Sequence, residues 1–150
     1  MHRIRIIAIL ASIIALGIVS CASGAKKQDG RDKYSLVGVW EGIDRTGCLG
    51  SFHFYENGRV ILVIDGRSLG GSESNGLGTL RYSADYSKNP IELDIIGVDS
   101  DGIEHGRILM IVHFLSRDQI KIRTFFNEIR PENFDNENID DTILLDRVVE

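Results

Sequence analysis

Ser68 lies in Gly66-Arg67-Ser68-Leu69-Gly70, the Gly-x-Ser-x-Gly spacing that exposes a serine hydroxyl for attack on an ester when a strand turns sharply into a helix. The next six residues, Gly71-Ser72-Glu73-Ser74-Asn75-Gly76, are poor helix formers, so the elbow lacks its second half. The stretch reads better as a flexible hairpin loop, and an esterase using Ser68 is less expected than a binding function. His53, His105 and His113 are the histidines beyond the N-terminal segment, and no two of them have a compact metal-ligand spacing. His105 and His113 share a face of one strand but stand ~26 Å apart at strand rise. Asp99-Ser100-Asp101-Gly102 and the carboxylate-rich stretch 135–141 lack the spaced ligands of a calcium loop. Turn chemistry accounts for the first and solvation for the second. Glu92 and Asp94 share a face that cross-strand ion pairs with Lys121 and Arg123 would satisfy. No catalytic, cofactor-binding or metal-binding residue is therefore expected.

Cys21 is the residue whose surroundings do specify chemistry. His2, Arg3 and Arg5 form a short basic region, and residues 6–19 are an apolar run broken only by Ser12 and Gly17. That run is shorter than the ~20 residues a spanning helix needs, and the chain turns polar directly after it. A cleaved export signal over residues 1–20 is the expectation; a single uncleaved membrane helix is the competing one. Ile18-Val19-Ser20-Cys21 resembles a bacterial lipobox, with Ile18 where Leu is usual. That resemblance implies a diacylglyceryl group on the Cys21 sulfur, cleavage just before it, and fatty chains such as palmitate as the covalent lipid. Each buried acyl methylene contributes about 0.8 kcal/mol, so two or three chains hold a protein at a membrane without a spanning helix. Ala22 and Ser23, rather than Asp, follow the cysteine. Among lipoproteins of the bacterial cell envelope this favours the outer membrane, where the cell has one.

Of the 150 residues, 130 remain after position 20, enough for one domain with its own core. Losing Arg3 and Arg5 takes the basic side chains from 17 to 15 against 22 acidic ones, a net charge of −7. Nucleic-acid binding rests on neutralising phosphates, so this balance argues against it. With Cys21 acylated, Cys48 has no partner within the chain and the fold stands without a disulfide. A small buried hydrophobe is the ordinary role of such a cysteine; an intermolecular disulfide is the alternative.

Residues 21–34 are polar and lack apolar periodicity, the pattern of a flexible tether of ~20 Å reach. From residue 35 to 150, strand signals recur at short spacing and no amphipathic helix of normal length appears. Strands are expected at 37–43, 49–56, 59–65, 77–84, 91–97, 105–115, 119–126 and 142–148. A loop is expected at 66–76, and a long acidic one at 127–141. Asn57-Gly58 predicts a type I′ turn between the second and third strands. Eight strands joined mostly by short turns predict an all-β, antiparallel up-and-down barrel, because closure removes exposed edges. A two-sheet sandwich is the alternative. Residues 60–64 and 108–112 are apolar on both faces, so each must be covered on the outside or offered to a partner.

Gly38-Val39-Trp40 resembles the Gly-x-Trp of the first lipocalin strand. The resemblance implies that Trp40 plugs the closed end of a barrel and that Arg147, in the last strand, lies over its ring as a barrel-closing pair. Residues 54–58, 78–82, 90–94, Arg130-Pro131 with Phe134, and 145–147 resemble a group of bacterial lipocalin-like domains. What this implies is architecture more than activity. The expected function is a membrane-anchored envelope lipoprotein acting as a non-catalytic binding or interaction module, not an enzyme. Its partners would be the membrane, through the lipid anchor, and an envelope protein. The alternative is a carrier of a small apolar ligand inside the barrel.

Overall fold

The computed structural model describes residues 34–43, 47–64, 66–71, 78–125, 127–136 and 140–149. The expected signal segment, Cys21 and the tether lie outside the described residues. Nine strands occur: β1 (Gly38–Ile43), β2 (Leu49–Phe54), β3 (Arg59–Ile64), β4 (Arg67–Leu69), β5 (Thr79–Asp85), β6 (Ile91–Val98), β7 (Glu104–Ser116), β8 (Gln119–Thr124) and β9 (Thr142–Arg147). No helix occurs among the described residues.

The strands form one antiparallel sheet in which β2 pairs with both β1 and β3, and β9 pairs with both β1 and β8. The ring β1-β2-β3-β5-β6-β7-β8-β9 thus closes as an eight-stranded up-and-down barrel, and the sandwich is excluded. β4 is an addition. The expected loop at 66–76 holds a short strand, because Arg67–Leu69 folds back on Ile64–Leu62. There it takes the edge of β3 that β5 leaves uncovered, since β5 pairs with β3 only at Arg59–Val60.

Period-two alternation places the core. Trp40, Phe54, Val60, Leu62, Leu93, Ile95, Met110, Val112, Ile120, Ile122 and Leu145 point inward and are buried, with Leu36 packed among them. Apolar burial of this kind contributes roughly 1.5–3 kcal/mol per large side chain.

Two local expectations are corrected. The β2–β3 connection is not type I′: only Gly58 has positive φ, at 80°. Gly58 N–H donates to Tyr55 O at 3.0 Å and Tyr55 N–H to Arg59 O at 2.9 Å. This is a three-residue loop, a type I turn followed by a glycine bulge. Asn57 is spared positive φ because its Oδ1 accepts from Arg59 N–H at 3.1 Å. Second, Glu92 and Asp94 do not meet Lys121 and Arg123, because β7 lies between β6 and β8.

The middle of the outer face of β7 is covered by the chain's own acidic connection, while Leu115 near the strand's end stays exposed. Ile111 points outward yet is 2% exposed. In register it lies between Glu92 and Arg123, and both of these hold the segment 127–136. Arg123 donates to the carbonyls of Asn133, Asp135 and Asn136. From the segment itself, Arg130 reaches Glu92 at 3.7 Å and pairs with Asp94. Phe134 packs against His113 and under the Lys121 ammonium, 4.9 Å from its ring centroid.

Candidate functional site

The two ends of the barrel differ, and the difference begins with Gly38. Its φ of +127° demands glycine, and an added Cβ would displace Arg147, whose Nη1 would lie 2.8 Å from it. The freed space admits the Arg147 guanidinium, whose carbon lies 4.1 Å from the Trp40 ring centroid. Its Nη1 donates to Val37 O and its Nη2 to Ser35 O, each at 2.7 Å, while Nε lies 3.3 Å from Asp118. Trp40 Nε1–H donates to Leu36 O at 2.7 Å, and Leu36 N–H donates to Tyr86 Oη at 3.1 Å. Phe114 meets Trp40 edge-on at 6.0 Å. Residues 34–37 are thereby drawn across this end, with the Leu36 side chain turned in and fully buried. The end is sealed, and the chain enters the barrel there.

The opposite end, the mouth, lies where β1, β3, β6 and β8 finish and where β2, β5, β7 and β9 begin. Exposed aliphatic side chains ring it: Ile43 and Leu49, which face each other in register, with Ile64, Leu69 and Ile103. Several inward positions at this level are glycines. Gly97 and Gly106 form a cross-strand pair that continues the inward row of Ile95 and Ile108. A Cβ at Gly106 would meet nothing within 4 Å, and one at Gly97 only Gly106 O at 3.8 Å. A Cβ at Gly50 would lie 3.5 Å from Val63 O. Deeper in, Leu93, Ile95, Ile120, Ile122 and Val112 are closed to solvent. Among the described residues the barrel is therefore filled below and open above, with an apolar edge and a glycine-lined inner wall.

The sequence-level candidates disperse. Cys21 lies outside the described residues. Ser68 is exposed on β4, opposite Val63. The Gly70 that follows serves packing: φ is +83°, and a Cβ would press on Leu80 at 2.7 Å and Val60 O at 2.9 Å. It marks the fork where β4 and β5 part. Histidine meets serine elsewhere, at Ser51 Oγ and His53 Nε2, 2.9 Å apart on the outer face of β2, with no carboxylate on the other ring nitrogen among the described residues. His105 Nε2 lies 2.6 Å from Asp99 Oδ2. That bond, then the Ile103 and Asp101 amides, holds the Asp99 carboxyl below its ordinary range despite some desolvation. Asp99 thus organises the β6–β7 turn. No cluster of three metal-ligating side chains occurs among the described residues. Cys48, half-buried near the mouth, forms no disulfide among the described residues.

Sequence reasoning missed the β4 fork, the clamped segment over β7 and the Gly97–Gly106 pair. The clamp had a signal in Arg130-Pro131 and Phe134. The glycine pair had none short of knowing that β6 and β7 are paired at that register. Comparison of the chain with protein-family models, with curated proteins and with solved structures gives no match.

Proposed function

We propose that the chain is a bacterial envelope lipoprotein, held at its membrane by fatty chains on Cys21, whose barrel is a non-catalytic binding module with its contact face at the mouth. The supporting observation is the contrast between the ends. Tyr34, thirteen positions after Cys21, enters at the sealed end, so an anchor on Cys21 leaves the apolar mouth unobstructed. A rim of exposed aliphatics beside an open glycine wall is the kind of feature that marks binding surfaces, whereas those exposed at the other end, Leu115, Val148 and Val149, flank a sealed core. In cells of the native envelope, radiolabelled palmitate is expected to enter the wild-type chain. A Cys21→Ala variant should take up none and should leave the membrane fraction. Equal membrane retention of that variant would refute the anchor.

A second reading is favoured by Gly97 and Gly106: a small apolar ligand seated on the glycine wall at the mouth. A Gly106→Phe substitution fills that space while keeping a good strand former. The wild-type chain is expected to enhance the fluorescence of N-phenyl-1-naphthylamine, and the Phe variant to bind it at least about tenfold more weakly, the effect of losing ~1.4 kcal/mol of contact. Undiminished probe binding by the variant would place the ligand elsewhere.

A further inference from the structure

The outer wall carries a second feature, remote from the mouth in chemistry and argued independently of it. Arg59 on β3 and Arg81 on β5 are register partners. Tyr82 N–H donates to Gly58 O at 2.9 Å, so the neighbouring positions 58 and 82 form a hydrogen-bonded pair. Arg59 and Arg81 are consequently a non-hydrogen-bonded pair, the type in which opposing side chains stand closest. Both point outward, since Val60 and Leu80 face the core. Like charges directly opposite one another destabilise a sheet.

Among the described residues nothing relieves this repulsion. Among the described residues, neither guanidinium makes an ion pair or hydrogen bond. Arg59 Nε is a buried side-chain nitrogen with no hydrogen-bond partner, a state native structures rarely leave unexplained. The carboxylates on the next strands are already engaged. Asp94, diagonal to Arg81, is held by Arg107 at 2.6 Å and by Arg130, and Glu104 is held by Arg107 at 2.8 Å. Glu56, in the β2–β3 turn, is not within ion-pair distance of either arginine. Ile96 lies between Arg81 and Arg107 in register and offers no charge.

We propose that Arg59 and Arg81 form a binding site for a phosphate-type dianion on the outer wall of the barrel. A single oxyanion between two guanidinium groups replaces a repulsion by two charge-assisted attractions, and the planar donor forks suit phosphate oxygens. Inorganic phosphate and a phosphomonoester lipid headgroup share this chemistry.

The test uses the full chain in a neutral sugar detergent, melted in sodium phosphate and in sodium chloride at equal ionic strength. Phosphate at about ten times its Kd is expected to raise Tm by roughly 5 °C over chloride. Arg59→Gln and Arg81→Gln should each abolish that difference, while melting no lower than the wild type in chloride because each removes one of two opposed charges. The Arg59 Nε–Hε resonance should shift during the phosphate titration and stay fixed in chloride. Dihexanoyl phosphatidate, with dihexanoyl phosphatidylcholine as its control, distinguishes the sources. Saturation at lower concentration than inorganic phosphate assigns the site to a lipid headgroup, and equal saturation assigns it to free phosphate. Equal melting of the wild type in phosphate and chloride, or an undiminished phosphate effect in both variants, overturns the site.

Discussion

A Trp40→Ala substitution is expected to remove about 3–5 kcal/mol of folding stability, a large share of the roughly 5–15 kcal/mol that holds a domain together. Three losses coincide. The indole is fully buried, so its removal opens a cavity at the sealed end. Leu36 O loses its 2.7 Å donor and becomes an unmet carbonyl beside the core, itself costing about 1–3 kcal/mol. The Arg147 guanidinium, 4.1 Å above the ring, loses the surface it lies on. Urea unfolding followed by far-ultraviolet dichroism measures the total. Arg147→Ala, which frees Ser35 O and Val37 O, should cost about 2 kcal/mol by itself. The double variant should lose less than the sum of the two, with a coupling of about 0.5–2 kcal/mol. Additivity within 0.3 kcal/mol would mean that the two side chains stabilise the end separately, and a loss below about 1 kcal/mol for Trp40→Ala would mean that this end is not the organising seal.

That end of the molecule was legible in the chain because its parts are short-range or carry distinctive side chains. Gly38 and Trp40 are two residues apart, and an indole and a guanidinium have few other ways to be satisfied in a barrel. The strands were legible for the same reason: the alternation of Ile91, Leu93 and Ile95 with Glu92 and Asp94 depends only on neighbours. What the chain concealed depends on register between distant segments. β4 could not be read from Arg67-Ser68-Leu69, because three exposed residues carry no periodicity; they pair only because β5 leaves the upper edge of β3 bare. Arg59 and Arg81 are unremarkable separately and become opposed only through the β3–β5 register. The Asn57-Gly58 expectation failed by one residue. Asn57 bonds the Arg59 amide in place of adopting positive φ, which lengthens the loop and sets the β2–β3 register.

Arg123→Met should be the most damaging change away from the sealed end, costing about 3–5 kcal/mol. The guanidinium is 7% exposed and lies 3.1 Å from Asp141, with a second contact from Nε to the other carboxylate oxygen at 3.2 Å. It also donates to Asn133 O and Asp135 O, each at 2.9 Å, and to Asn136 O at 3.4 Å. The same side chain therefore closes the far end of the β8–β9 connection and holds its middle against the outer wall. Methionine retains much of the volume and none of the donors, leaving the carbonyls of Asn133, Asp135 and Asn136 without theirs and the half-buried Asp141 carboxylate, which keeps the Thr142 hydroxyl, without its counter-charge. Asp141 also supports the ladder directly, since Thr124 N–H donates to its carbonyl at 2.9 Å. Faster amide exchange at Thr124 should accompany the fall in stability, and limited proteolysis should cut within 127–136. Replacing both partners, Arg123→Met with Asp141→Leu, should recover part of the loss, because two apolar groups leave no uncompensated charge. If the double variant is no more stable than Arg123→Met, the damage lies in the released carbonyls rather than in the ion pair. If Arg123→Met costs less than about 1 kcal/mol, segment 127–136 is held chiefly by Arg130 and its bonds to Met110 O and Asp94. Ile111 would then stay covered without Arg123, and the outer face of β7 would owe its protection to one arginine instead of two.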